Sequence, residues 1–180
     1  YDAAAVARSM SSEDSAEHRS GAAGAWRDAF IRMPYWRDPT VGLGVIMDTF
    51  ETAITWDRFE TFYASVKDDV SRAIMRATGQ KARLSCRFTH LYPDGPARYF
   101  TLAARAADGS VASALAAWRD IKRAANEAVV AHGGTVTHHH AVGRDHRSGY
   151  DREADPLFRR MLSAAKQVAD PQGILNPGVL

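Results

Sequence analysis

Two long stretches with apolar residues at helical spacing, each following a β-type run, constrain this chain more than anything else in it. Trp56, Phe59, Phe62, Tyr63, Val66, Val70 and Ile74 recur at three- and four-residue steps up to Gly79. Val111, Leu115, Trp118, Ile121, Ala125 and Val129 do the same ahead of Gly133 and Gly134. Each pattern lays one apolar stripe along an amphipathic helix, and a glycine just past the last periodic residue is a stop signal. The run VGLGVIMDTFETAIT, rich in β-branched and aromatic residues, precedes the first helix and reads as a strand. ARLSCRFTHLY and ARYFTLAARA, separated by the turn residues PDGP, read as a hairpin of strands two and three. TVTHHHAV, after the second helix, reads as a fourth strand or its continuation into a loop. The order βαββαβ predicts a ferredoxin-like α+β fold, an antiparallel sheet with both helices on one face.

Outside this frame, AWRDAFIRMPY predicts a short helix ended by Pro34, and the polar, aperiodic stretch Ser11 to Gly24 reads as a linker. A last helix over Asp155 to Val168 carries Leu157, Met161, Leu162, Ala165 and Val168 on one side, and the turn-rich DPQGILNPGVL reads as a docking tail. The 180 residues, 46% of them hydrophobic, can bury one sizeable core. With 23 Lys and Arg against 21 Asp and Glu, the formal net charge of +2 gives no global field for nucleic acid or membrane. The single cysteine, Cys86, excludes an internal disulfide framework and fits a reducing compartment. No apolar run approaches the ~20 residues a membrane span needs. The opening YDAAAVARSM has no initiator Met and reads as though entered in mid-helix, so a fragment or processed product is expected.

The stretch GGTVTHHHAVGRDH concentrates the chemistry. On a strand, His138 and His140 would share one face and His139 the other. His132, His146 or Asp145 could supply further metal ligands, yet no HExxH, paired cysteine or other standard ligand spacing is present, and no metal is expected. The adjacent Gly133, Gly134 and Gly143 permit close backbone approach, which favours a ligand pocket over a surface loop. On residues alone, Arg37 is a salt-bridge partner of Asp38 or Glu51, Tyr99 a packing residue of strand three, and Cys86 a core filler. Glu51, Trp56, Asp57 and Arg58 form a strand-to-helix junction that Thr55 or Asp57 caps.

RDPTVGLGVIMDTFETAITWDRF, SCRFTHLYPDGPARYFT, GGTVTHHHAVGRDH and AAKQVADPQGILNPGVL together resemble the C-terminal half of the alkyldihydroxyacetonephosphate synthases, flavoproteins of the vanillyl-alcohol oxidase superfamily. The resemblance runs from about Ala25 to Leu180, and the triple histidine is its specific part, since related FAD-linked oxidases read GEHGIG there. It implies a helical remnant and linker over residues 1–24, a substrate-side cap domain over 25–150, and a C-terminal helix and tail over 151–180 docking toward an N-terminal FAD-binding domain. It implies FAD as cofactor, bound mainly in that other domain, with Asn176 as a candidate contact here. The implied reaction exchanges the acyl group of acyl-dihydroxyacetone phosphate for a long-chain fatty alcohol, without net redox, in ether lipid synthesis. Arg37 matches the substrate-binding arginine, Tyr99 the proton-transfer tyrosine, and His138, His139 and His140 the essential histidine loop. The Trp and Lys that the family often has after the histidine loop are not matched in this chain, which reads DHRSGYDRE there, and Arg144 or Arg147 is expected to cover the basic role. The isolated fragment is expected to be inactive. Peripheral membrane association and a homodimer are open as further partners. The Ala- and Arg-rich composition points to bacterial cytoplasm or its membrane surface, and to peroxisomes only for a eukaryotic protein. The alternatives are an FAD-linked 2-hydroxy acid oxidoreductase of the D-lactate or glycolate type and a stand-alone metal- or ligand-binding module.

Overall fold

The computed structural model describes residues 21–81 and 83–179, in two compact units that meet in sequence at Thr40 and Val41. In the first unit, helix α1 (Ala22–Arg32) gives way to a 3-10 turn (Met33–Trp36) and then to α2 (Arg37–Gly42), which carries the boundary. Pro34 has no backbone N–H to continue the α-helical ladder, so α1 stops two residues ahead of it and the chain tightens. Most of the linker anticipated at Ser11 to Gly24 lies outside the described residues.

The second unit contains β1 (Val45–Ala53), a 3-10 turn (Trp56–Arg58), α3 (Phe59–Thr78), β2 (Arg83–Leu91), β3 (Pro96–Arg105), α4 (Val111–Ala131), α5 (Arg147–Glu153) and α6 (Pro156–Ala169). Gly79 ends α3 in the left-handed conformation, φ +71°, with its N–H on the Met75 carbonyl. Ser110 opens α4 by accepting from the Ser113 amide. The strands form one antiparallel sheet in the order β1-β3-β2, and the chain is α+β as the pattern predicts. β2 and β3 are the predicted hairpin, closed by the Tyr92 N–H on the Gly95 carbonyl at 3.0 Å.

Alternation divides the sheet into two faces. Ile46 and Phe50 of β1 and Phe100 and Leu102 of β3 point to one side, where Phe62, Val66, Val70 and Ile74 of α3 and Ile121, Ala125 and Val129 of α4 cover them. Phe50 and Phe100 pair across the strands with ring centroids 4.6 Å apart. Each of the larger of these side chains, fully withdrawn from water, contributes roughly 1.5–3 kcal/mol. Both helices thus spend their apolar stripes on one face. The other carries Thr49 and Glu51 of β1, Tyr99 and Thr101 of β3 and Arg87 of β2, in the register Glu51–Tyr99–Arg87 across the strands.

The expected fourth strand does not form. After α4 the chain turns through Gly133 and Gly134 and gives β1 one ladder-like bond, Thr135 N–H to the Ala53 carbonyl at 3.2 Å. From His138 on, the amides that would have continued that ladder turn onto a side chain instead, as described below. Among the described residues the sheet has three strands, so the ferredoxin-like topology is met only that far. The predicted last helix is α6, with the Asp155 carboxylate accepting from the Leu157 and Phe158 amides. Among the described residues no helix is long and apolar enough to cross a membrane.

Candidate active site

Glu51 is fully buried on the sheet face that the helices leave bare, because the histidine loop folds over it. Its Oε1 accepts the backbone N–H of His138 at 2.7 Å, of His139 at 2.5 Å and of His140 at 2.6 Å. The Thr137 hydroxyl lies 3.1 Å from the same oxygen. Burial alone would push the Glu51 pKa up, but the three amides and the nearby His140 charge outweigh it and hold the carboxyl below its usual range. Glu51 is therefore an anion in a nest of N–H groups. Its other oxygen, Oε2, is buried and accepts no hydrogen bond of good geometry, and the His139 imidazole presents Nδ1 directly to it.

Three successive amides converging on one oxygen replace the alternation of a strand. The imidazoles become neighbours: His139 and His140 lie 4.5 Å apart centroid to centroid, and His138 and His139 5.6 Å. Tyr99 stands on the same face, its ring edge-on to His140 at 5.6 Å, its hydroxyl 3.0 Å from the Thr49 hydroxyl, and the Arg87 guanidinium 4.6 Å above it. Four of the predicted site residues, Tyr99, His138, His139 and His140, thus come together.

Two members of the cluster were not foreseen. Glu51, read as part of a junction, is its anchor. His90 reaches it because a β-bulge between Phe88 and His90 shifts the register and sets His90 opposite Ala97, on Tyr99's side of the sheet. Its ring lies 5.0 Å from His138 and 5.2 Å from His139. His90, His138 and His139, and separately Glu51, His139 and His140, bring ligand atoms within 4.8 Å of one another, close enough for a metal ion. In the second group Glu51 Oε1 is already saturated by the loop. The ligands considered from sequence lie elsewhere: His132 pairs with Asp69 at 2.8 Å, and His146 is buried with Nδ1 3.2 Å from Asn126 Oδ1. Burial, followed by the Lys122 charge, pushes the His146 pKa down, so it is a neutral packing residue.

Arg37 opens α2 in the first unit, and its side chain lies outside the described residues. Asn176 is exposed in the tail at φ +45°, a conformation asparagine tolerates better than most residues. Thr55 sits at the N-cap of the 3-10 turn without a side-chain bond. Cys86 packs against the core on the helix-covered face, 3.4 Å from Arg98 Nη1, and burial pushes its thiol up. A cleft of about 800 Å³ opens beside His138, bordered by Arg58, Tyr92, Asp94 and Arg152.

The long helices of the second unit are not built to hold an FAD pyrophosphate. Ser110 caps α4 itself, the Asp155 carboxylate occupies the first amides of α6, and no glycine-rich turn precedes α3. The open face, with its imidazoles and phenol, fits instead the reacting end of a cofactor or substrate held from outside this chain.

The sequence model of the FAD linked oxidases, C-terminal domain, matches residues 2–180. The alkyldihydroxyacetonephosphate synthase of Trypanosoma brucei brucei is 28% identical over 155 residues, 86% of this chain and 25% of that protein. That of Caenorhabditis elegans is 28% identical over 141 residues, 78% of this chain and 23% of that protein. A solved alkyldihydroxyacetonephosphate synthase superposes with a TM-score of 0.59 at 18% identity, covering 87% of this chain and 24% of that one, a likeness of fold. The chain spans about a quarter of the length of these relatives.

Proposed function

We propose, from the premise that this chain belongs to the FAD linked oxidases, C-terminal domain family, that it is the substrate-side part of a flavin-dependent alkyldihydroxyacetonephosphate synthase. The observation that carries the reading is the histidine loop itself. Three consecutive imidazoles are folded onto the bare face of the sheet beside Tyr99, in a chain whose curated relatives bear the synthase name.

The reaction replaces the acyloxy group of acyl-dihydroxyacetone phosphate by an alkoxy group from a fatty alcohol. The alcohol oxygen bonds to carbon and loses its proton, and the acyloxy group departs as a carboxylate, so no electrons are gained or lost overall. FAD, when bound by a domain outside this chain, would supply an electrophilic ring at this face. The protein's task is then to move protons and hold charge. Imidazoles titrate near neutral pH, and the Tyr99 phenol, hydrogen-bonded to Thr49, can pass a proton within the same group of residues. Arg37 is assigned to the substrate phosphate, which a guanidinium can hold bidentately.

The test is to incubate the full-length flavoprotein with acyl-dihydroxyacetone phosphate and radiolabelled fatty alcohol. The expected result is label in the ether product and one fatty acid released for each ether formed. No label in ether, with flavin reduced by D-lactate or glycolate, would replace the synthase reading by that of a 2-hydroxy acid oxidoreductase.

A further inference from the structure

His90 has no part in the proton transfer described above, yet the β2 bulge turns its ring onto the open face, 5.0 Å from His138 and 5.2 Å from His139. Each of these three side chains offers a nitrogen, and the three nitrogens all lie within 4.8 Å of one another. His138 Nδ1 and His139 Nδ1 are 3.4 Å apart. Two nitrogens bound tetrahedrally to one ion at about 2.0–2.1 Å stand about 3.3–3.4 Å from each other. The loop pair therefore has that spacing already, and His90 closes the set by a side-chain rotation. His90 and His139 are exposed, so the ring is free to turn and solvent can fill a fourth position.

Charge points the same way. Glu51 Oε2 is sealed from water without a hydrogen-bond partner and lies 3.9 Å from His138 Nδ1, which puts negative charge behind the imidazoles. A cation in front of them is attracted by it. The donor set then selects the ion. Three imidazoles with one position left open suit Zn²⁺ and its neighbours in the transition series, whereas Mg²⁺ and Ca²⁺ require oxygen ligands. The second cluster, Glu51 with His139 and His140, is poorer, because the loop amides fill Oε1 and His139 is shared with the first.

We propose that His90, His138 and His139 form a site for a divalent transition-metal ion of the zinc type, and that the bound ion switches the histidine loop off. A nitrogen lone pair given to a metal cannot accept a proton, so occupancy takes two of the three loop imidazoles out of proton transfer. The metal site stands on the geometry of this chain; its effect on turnover rests on the synthase reading. No ligand spacing in the sequence announces the site, because His90 comes from another element and reaches the loop through the bulge.

The test is calorimetric titration of Zn²⁺ into the full-length flavoprotein after treatment with a chelator. It is repeated on His90→Ala, on His138→Asn and on His132→Ala, whose ring pairs with Asp69 outside the cluster. Acyl exchange is followed at each Zn²⁺ concentration against the metal-free rate of the same protein. His90 is exposed on an edge strand, so its variant keeps the fold even if His138→Asn does not.

Expected in the wild type is a Zn²⁺ ion bound with an affinity that falls by about 100-fold or more in His90→Ala and His138→Asn, beyond the loss typical of an outer-shell partner, and stays within about threefold in His132→Ala. Exchange by the wild type stops as the site fills and returns with chelator, while His90→Ala needs about 100-fold more Zn²⁺ for the same fractional loss. No binding, or an affinity that His90→Ala leaves unchanged, would overturn the site. Binding with the expected variant pattern but an undiminished rate would overturn the switch. The same pattern in a protein that forms no ether would remove the synthase reading and keep the metal site.

Discussion

Replacing Glu51 by alanine should destabilise this chain far more than a typical strand substitution. Among the described residues the Glu51 carboxylate is the acceptor for three successive amides, at 2.7, 2.5 and 2.6 Å. Leaving a buried donor without a partner costs about 1–3 kcal/mol, so three would cost up to about 9 kcal/mol if nothing relaxed. Relaxation is available, because the His139 side chain is 40% exposed and water can reach the loosened loop. Removing the carboxylate also removes its own desolvation cost. The net expectation is about 3–4 kcal/mol, similar to breaking one partner out of a buried ion pair. For a domain of this size that lowers Tm by about 10–15 °C, whereas Glu51→Gln, which keeps a neutral acceptor at roughly half the bond strength, costs about 1–2 kcal/mol. Urea and thermal melts monitored by far-UV circular dichroism measure both the free energies and the Tm shifts. The sign with pH follows from the lowered Glu51 pKa: the stabilisation is complete above the unfolded carboxyl value, about 4.3, and is lost as pH falls through the folded value. The wild-type advantage over Glu51→Ala is therefore constant from pH 8 to about pH 5 and shrinks in more acid solution. An alanine variant that melts within 2 °C of wild type would show that the loop does not depend on this carboxylate, and the reasoning about the site would fall with it.

Tyr99→Phe removes the hydroxyl next to Thr49 without touching the core face; kcat for the exchange should fall by about 10²-fold or more, with the melting curve nearly unchanged, and a normal kcat would take Tyr99 out of the proton path. Gly134→Ala places a methyl 2.6 Å from the Phe62 ring and 2.8 Å from Thr52 Oγ1, so stability should drop by about 1–3 kcal/mol; a neutral melt would mean that the turn into the histidine loop has room to spare.

The helices, the hairpin and the sheet face they cover were legible because each depends on a local period: 3.6 residues for α3 and α4, two for Phe50, Phe100 and their neighbours, and turn residues at Asp94 and Gly95. His138, His139 and His140 were legible as a candidate site because three adjacent imidazoles have no packing reason, and the structure gathers them beside Tyr99. What could not be read was how they are held. The fourth strand was expected from β-branched residues around the histidines, but strand propensity does not say which acceptor an amide finds, and a carboxylate across the fold won those amides from the ladder. Glu51 carries no local mark of this, since its partners are 87 to 89 residues away. His90 was hidden by the bulge, because a slip of one residue moves a side chain to the other face and nothing in RFTHLY announces it.

The loss of that strand is what makes the site. On a ladder, His139 would have pointed away from His138 and His140, leaving at most two imidazoles on either face. Gathered onto one carboxylate oxygen, the same three residues form one cluster, His139 and His140 against Tyr99 and His138 against His139, and a fourth ring, His90, joins through the β2 bulge. The carboxylate and the loop depend on each other: Glu51 would not stay ionised in a buried position without the amides, and the amides would have no acceptor without Glu51. The apolar core and the candidate site thereby lie on opposite faces of one sheet, the first built from apolar stripes that many sequences could supply, the second organised by a single buried anion that few substitutions could replace.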